Sequence, residues 1–253
     1  MPRKPREKSS SGIYHIMLRG INRQTIFEDD EDRISFLGTL KRYQKVSEYQ
    51  IYGYCLMGNH LHLLINEARE SVSLAMQRIC SSYVHWYNYK YERCGHLFQE
   101  RFKSESVEDD AYFLTVLRYI HQNPIKAGLA NSVSTSKWTS YKEYLDRAKL
   151  VNTDYGLNLF SRDREKALAL FTTYMNEENE DQCLDDEQKV KLSDDELRQY
   201  LDTLGITNIS TLQQMEKAKR DELLIQLKEL EGVTIRQLSR ITGISKSVIA
   251  RVR

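Results

Sequence analysis

Net charge is almost absent from this sequence: 37 lysines and arginines stand against 36 aspartates and glutamates in 253 residues, a formal charge of +1. The total therefore announces no nucleic-acid partner, and only the distribution of charge can. Cysteine is scarce, and Cys55, Cys80, Cys94 and Cys183 form no C-x-x-C pair. That excludes a disulfide framework and a zinc knuckle and leaves ordinary thiols of a reducing compartment. No run approaches 18 consecutive apolar residues, and the opening MPRKPREKSSSG is basic and polar without an apolar h-region. The expectation is a cytoplasmic protein with no signal peptide and no membrane span.

What is present suits a globular chain. Hydrophobic residues make up 40%, enough for one large domain or a core domain with a smaller partner. Tyrosine is in excess, 16 against 7 phenylalanines, which suits core edges, base stacking or nucleophilic chemistry.

After a basic lead over residues 1–12, Ile13–Leu18 (IYHIML) reads as a strand broken by the turn-forming Arg19-Gly20-Ile21-Asn22-Arg23. Asp29 to Tyr49 has apolar residues at helical spacing behind an acidic first turn. Gln50–Met57 and Leu61–Ile65 read as strands joined by a tight Gly58-Asn59 turn, Ser71–Tyr91 as a helix, and Phe98–Val107 as a fourth, half-exposed strand. Asp109 to Gln122 reads as a helix stopping before Asn123-Pro124. The β-α-β-β-α-β order predicts an α+β fold: a ferredoxin-like antiparallel sheet with two helices on one face. The additional helix then has the other face to cover, where the histidines are expected.

Further on the pattern weakens. Residues 147–190 read as a connecting region, preceded by a strap anchored by Trp138 and Tyr141 and including the acidic stretch NEENEDQCLDDE. Residues 191–253 read as an all-α domain: a capping box at Ser193-x-x-Glu196, helices over Asp195–Leu204 and Thr211–Leu230, and a helix-turn-helix from Val233. There Thr234–Thr242 and Lys246–Arg253 flank the turn Gly243-Ile244-Ser245, with Ile235, Leu238, Ile241, Ile244, Val248 and Ile249 packing between them. Lys246, Ser247, Arg251 and Arg253 are candidate duplex-DNA contacts, with a plain three-helix interaction module as the alternative.

The chemistry centres on YCLMGNHLHLLINE, Tyr54 to Glu67. His60 and His62 are two apart, so a strand points both to one face. Two buried imidazoles need a hydrogen bond, a proton or a metal. On spacing alone, strand histidines satisfied by their neighbours remain the alternative. Tyr119 and Asn123 are four apart and share a helical face if the last turn persists. A phenol and a carboxamide opposite two imidazoles would make a metal site with a nucleophile beside it, able to attack phosphorus. Tyr83, Tyr87 and Tyr112 are rival nucleophiles, and Tyr119 can equally be a core-edge residue. His121, about 200° round the helix from Tyr119, reads as surface or structural, and Asn59 as a turn residue.

NHLHLLI resembles the HUH motif of single-tyrosine transposases. With YHIMLRGINRQTIF, GHLFQERFKS and YFLTVLRYIHQNPIKAGL in order, the chain from about Ile13 to Leu145 resembles REP-associated tyrosine transposases, giving an expected catalytic domain over residues 13–146. The resemblance implies metal-dependent cleavage and rejoining of single-stranded DNA at hairpin-bearing ends through a 5′-phosphotyrosine. It implies His60 and His62 as metal ligands, Tyr119 as nucleophile, Asn123 as a third ligand, and Mg²⁺ or Mn²⁺ as the ion. The alternatives are a replication-initiator or relaxase-like nickase with the same chemistry, and a domesticated hairpin-binding regulator without catalysis. A monomer is expected if Tyr119 reaches its own chain's histidines, a homodimer if it reaches a partner's. Arg19, Arg23, Arg101, Lys103, Arg118 and Lys126 flank the motif segments as candidate phosphate contacts, against a solvated-surface alternative. Phe98 and Phe102 are read as core or as stacking platforms.

Overall fold

The computed structural model describes residues 7–184, 194–206, 212, 215–230 and 233–252. It divides into two compact units, residues 1–185 and 186–253. Residues 1–6 of the basic lead, the last acids of the acidic stretch at 185–187, the capping box at Ser193-x-x-Glu196 and Arg253 lie outside the described residues.

The first unit is an antiparallel sheet in the order β2-β3-β1-β4, built from β1 (Ile13–Arg19), β2 (Gln50–Leu56), β3 (His60–Asn66) and β4 (Lys103–Ser106). This is the expected ferredoxin-like topology. Period-two alternation puts Tyr14, Ile16 and Leu18 of β1 on one face and His15, Met17 and Arg19 on the other. β1 pairs with β3 so that Arg19 faces His60 and Met17 faces His62, which carries the alternation across the sheet.

Helices α1 (Asp30–Ser47) and α2 (Val72–Lys90) pack against each other and bury Phe36, Leu40, Met76, Ile79 and Tyr83. Asp29 and Asp32 form a capping box on α1, and Ser71 caps α2. Helix α3 (Asp110–Lys126) lies on β2 and β3, on the histidine face. Gly53 permits the approach: a Cβ there would stand 2.9 Å from Leu117 Cδ1 and 3.8 Å from Leu64 Cβ.

Four details differ from expectation. Helix α3 does not stop before Asn123-Pro124 but runs through it to Lys126. A proline costs the helix its own N–H bond and crowds the carbonyl one turn back, but Pro124 lies in the final turn, which Ala127 N–H to Asn123 O (3.0 Å) and Leu129 N–H to Pro124 O (2.8 Å) close. The fourth strand is shorter than Phe98–Val107. Phe98 bridges Gly20 and Lys103 pairs with Met17, so the chain takes two more steps than β1 between these points and bulges out. The strap is an edge cover: Cys55 bridges Thr139, Leu56 N–H donates to Trp138 O (2.9 Å) and Ser140 N–H to Tyr54 O (3.0 Å), which pairs the open side of β2. Finally, after α4 (Tyr141–Leu145), residues 147–184, read as connecting, include α5 (Asp154–Asn158) and α6 (Arg164–Asn176), whose Phe171 and Met175 are fully buried in the first unit's core.

The second unit holds α7 (Asp194–Thr203), α8 (Lys217–Glu229), α9 (Ile235–Thr242) and α10 (Lys246–Arg251) around Leu197, Leu224, Leu227, Leu238, Ile241 and Ile249. Extended backbone at Glu216 separates helical Leu212 from α8, so the helix expected from Thr211 is interrupted. Thr234 caps α9 and Gly243, at φ 69°, ends it in the left-handed turn that favours glycine. Ile235 and Val248, expected inside, are 38% and 36% exposed because the two helices meet along Leu238, Ile241 and Ile249 instead.

His121 is fully buried between α3, α4 and α6, near Ser140 Oγ (2.8 Å from Nε2) and Met175 Sδ (3.4 Å from Nδ1). Burial pushes its pKa down to about 3. An unfolded histidine titrates near 6.5, so below that pH the unfolded chain takes up a proton the native state refuses. His121 therefore costs stability as pH falls from about 6.5 toward 3, by up to ~1.4 kcal/mol per pH unit. We expect His121→Gln to lose less urea resistance than wild type between pH 7 and 4.5; equal losses would show that His121 takes up its proton alike in the folded and unfolded chains.

Candidate active site

The two-residue Gly58-Asn59 turn, closed by Met57 N–H to His60 O (2.9 Å), delivers His60 and His62 at the start of β3. Gly20 docks on this turn through its N–H to Asn59 O (2.9 Å). A Cβ on Gly20 would lie 2.1 Å from Gln24 O, so only glycine fits there. His60 is half-buried, and its Nδ1 lies 2.7 Å from Asn59 Oδ1. Asn59 is thus more than a turn residue, because an amide oxygen can only accept and so holds the proton on Nδ1.

His62 is 0% exposed. Its Nδ1 lies 3.0 Å from His15 Nε2, and its Nε2 is buried with no hydrogen-bond partner. Burial, then the nearby His15, His60 and Arg19, holds its pKa well below the usual imidazole range, so His62 is neutral. The rings of His60 and His62 are 5.3 Å apart, centre to centre.

Helix α3 brings Tyr119 of the same chain to this pair. Its ring centroid is 5.5 Å from that of His62 and 5.9 Å from that of His15, both edge-on. Asn123, buried, follows one turn later on the same helical face. The rival tyrosines are otherwise engaged. Tyr83 O–H donates to Ile26 O (2.6 Å) and Tyr87 lies beside Thr25 O and Glu28, both on α2. Tyr112 stands by Glu105 and Cys183, and burial followed by Glu105 pushes its pKa up.

Among the described residues no group of three or more His, Cys, Asp or Glu side chains could hold a metal ion. An ion at this site would depend on His60 and His62, with the Asn123 amide as the available oxygen donor. The pair is suited to ligation, which needs neutral imidazole, and His62 offers a neutral ring with an unpartnered Nε2.

Residues 8–123 match the family model described as IS200-like transposase. That segment is a little under half of the chain, and through it the chain is similar to IS200-like transposases. Comparison with curated proteins gives no match. Among solved structures, a REP-associated tyrosine transposase bound to a REP hairpin is similar at 17% identity and a TM-score of 0.51, over 61% of this chain and 90% of its own. A Deinococcus radiodurans protein described as a transposase is similar over 51% of this chain and 99% of its own, at 14% identity and a TM-score of 0.35, too low to carry weight. The first of these shows the shared fold.

Around this site the expected cations scatter. Arg19 stands opposite His60 in the sheet, Arg23 follows at the turn where Asn59 Nδ2 donates to its carbonyl (3.4 Å), and Lys103 is opposite Met17 on the histidine face. Lys126 Nζ lies 5.3 Å from the Tyr119 ring centre and donates to Asn179 Oδ1 and Asp181 O. Arg118 is buried against Tyr174 and held by Asp181 and Glu177 (2.8 and 3.1 Å), which suits a structural clamp better than a phosphate contact. Arg101 lines a separate cleft of about 790 Å³ between α2 and residues 96–102, with Phe98 and Phe102 packed at its wall. Lys246, Ser247 and Arg251 are exposed on α10.

Two site residues escaped sequence reasoning: His15, fully buried, and Glu105, whose Oε2 is 3.9 Å from His15 Nδ1. A signal existed, since a histidine inside IYHIMLR raises the same question of satisfaction as the HLH pair.

Diethyl pyrocarbonate followed by peptide mass spectrometry should modify the exposed His85 and His96 fastest and the half-buried His60 next, leaving His15, His62 and His121 protected. Modification of His62 ahead of His60 would contradict this geometry.

Proposed function

We propose that the transposase domain cleaves and rejoins single-stranded DNA, using Tyr119 as nucleophile and His60, His62 and Asn123 to hold a divalent ion, Mg²⁺ or Mn²⁺. The observation that carries the reading is the single-chain juxtaposition of the Tyr119 ring with a buried, neutral His62 whose Nε2 has no partner. A bound ion would supply Lewis-acid polarisation of the scissile phosphate. The chain's own groups do the rest. The Tyr119 oxygen forms a bond to phosphorus as the bond to the 3′ oxygen breaks. The phenolic proton is lost, the departing oxygen gains one, and a 5′-phosphotyrosine and a 3′-hydroxyl result. Reversal with a different 3′-hydroxyl joins new strands. Tyr119 is 4% exposed, so most of its side chain is covered by the surrounding core.

Arg19, Arg23 and Lys103, on or beside the histidine face, are the best-placed groups to hold the strand by its phosphates. The similarity to a hairpin-bound transposase supports hairpin-bearing ends as the substrate. In the second unit, a capped α9, a glycine turn and an α10 with Lys246, Ser247 and Arg251 exposed support a helix-turn-helix that adds duplex binding.

With a hairpin-bearing oligonucleotide and Mn²⁺ we expect a covalent protein–DNA adduct, lost in Tyr119→Phe; an adduct in that variant would place the nucleophile elsewhere. Changing Lys246 and Arg251 to alanine should weaken duplex binding and flatten its salt dependence, by about one unit of slope per lost phosphate contact. Unchanged duplex affinity would remove α10 from the interface.

A further inference from the structure

His15 and Glu105 lie outside the metal-site reading, yet they line up with it, through one hydrogen bond and one longer charge contact. Glu105 Oε2 is 3.9 Å from His15 Nδ1, and His15 Nε2 is 3.0 Å from His62 Nδ1. His15 and His62 are both fully buried, with ring centres 5.1 Å apart. Strand register builds the chain: Glu105 faces His15 across β1 and β4, and His62 faces Met17, two residues along β1 on the same face.

One proton is shared between the two facing ring nitrogens, and the surroundings decide its direction. If His15 Nε2 were the donor, a neutral His15 would turn the lone pair of Nδ1 toward the Glu105 carboxylate. His62 would then carry its own proton on Nε2, a buried N–H with no acceptor. Both consequences are unfavourable. The opposite direction is the better of the two: His15 Nδ1–H faces the Glu105 carboxylate at 3.9 Å, an electrostatic contact longer than a hydrogen bond, His62 Nδ1–H donates to His15 Nε2, and His62 Nε2 keeps its lone pair. The Glu105 carboxyl is held below the usual carboxylate range first of all by His15, and it also accepts from Leu184 N–H (3.1 Å).

We propose that His15, oriented by Glu105, is a positioning residue that fixes His62 as the Nδ1–H tautomer and so makes Nε2 its metal-binding atom. Asn59 does the same for His60 through Nδ1. The two imidazoles are thereby set to offer matching nitrogens before any ion arrives, and a carboxylate–histidine chain raises the basicity of one of them. The metal part of this inference rests on the functional reading above; the tautomer part does not.

Two measurements separate them. Long-range ¹H–¹⁵N correlation on the metal-free protein, with ¹⁵N-labelled histidine, should show His62 protonated on Nδ1 and bare on Nε2. In His15→Leu that preference should be lost, whereas His15→Gln, whose amide oxygen can accept the same hydrogen bond, should keep it. Mn²⁺ titration followed by electron paramagnetic resonance should give an affinity about 10–100-fold weaker in folded His15→Leu, with Glu105→Gln in between and His15→Gln within about threefold of wild type. His62 protonated on Nε2 in wild type overturns the proposal, as does a wild-type Mn²⁺ affinity in folded His15→Leu. Failure of wild type to bind Mn²⁺ while showing the expected tautomer would overturn the metal reading alone.

Discussion

The contact between His15 and His62 is the constraint on which the first unit depends. Neither ring touches solvent, and a buried imidazole left without a partner is costly, so each must satisfy the other. That requirement ties β1 to β3 at one register, because a one-residue slip would turn one ring to the opposite face. It also needs a cover, which α3 provides by crossing the same face close above Gly53. Tyr119 arrives beside the histidines as part of that cover. The candidate site is thus a product of core packing, built on strands and one long helix, with the Gly58-Asn59 turn fixing His60 at its edge.

Much of this was legible from residue order. Strand alternation around HLH, the acidic starts of α1 and α3 and the Gly58-Asn59 turn sufficed for the ferredoxin-like sheet, and the i, i+4 spacing of Tyr119 and Asn123 for their common face. The short helix α9 was readable because Thr234 and Gly243 bound it by backbone chemistry alone. What escaped depended on distant pairing. Phe98–Lys103 alternates as a strand does, yet its bulge is visible only against β1. The acids after Asn176 read as a solvated linker, but Glu177 and Asp181 close on Arg118 from more than fifty residues away. His15 and Glu105 are unremarkable until the register sets them in line with His62.

That acidic stretch also changes how the basic residues are understood. Arg118 and Lys126, neighbours of Tyr119 in sequence, both have partners in residues 177–181, and in the sheet Arg19 and Lys103 share the face of the histidines.

The central claim is that one chain contains a whole site: Tyr119 lies 5.5 Å from the His62 ring without a second copy. The direct measurement is complementation between two inactive variants, Tyr119→Phe and His60→Ala, mixed with hairpin-bearing DNA and Mn²⁺ and assayed for covalent adduct. Assembly within one chain predicts no adduct in the mixture while wild type forms it readily. An adduct restored on the His60→Ala chain would show that Tyr119 works with a partner's histidines, and would contradict single-chain assembly.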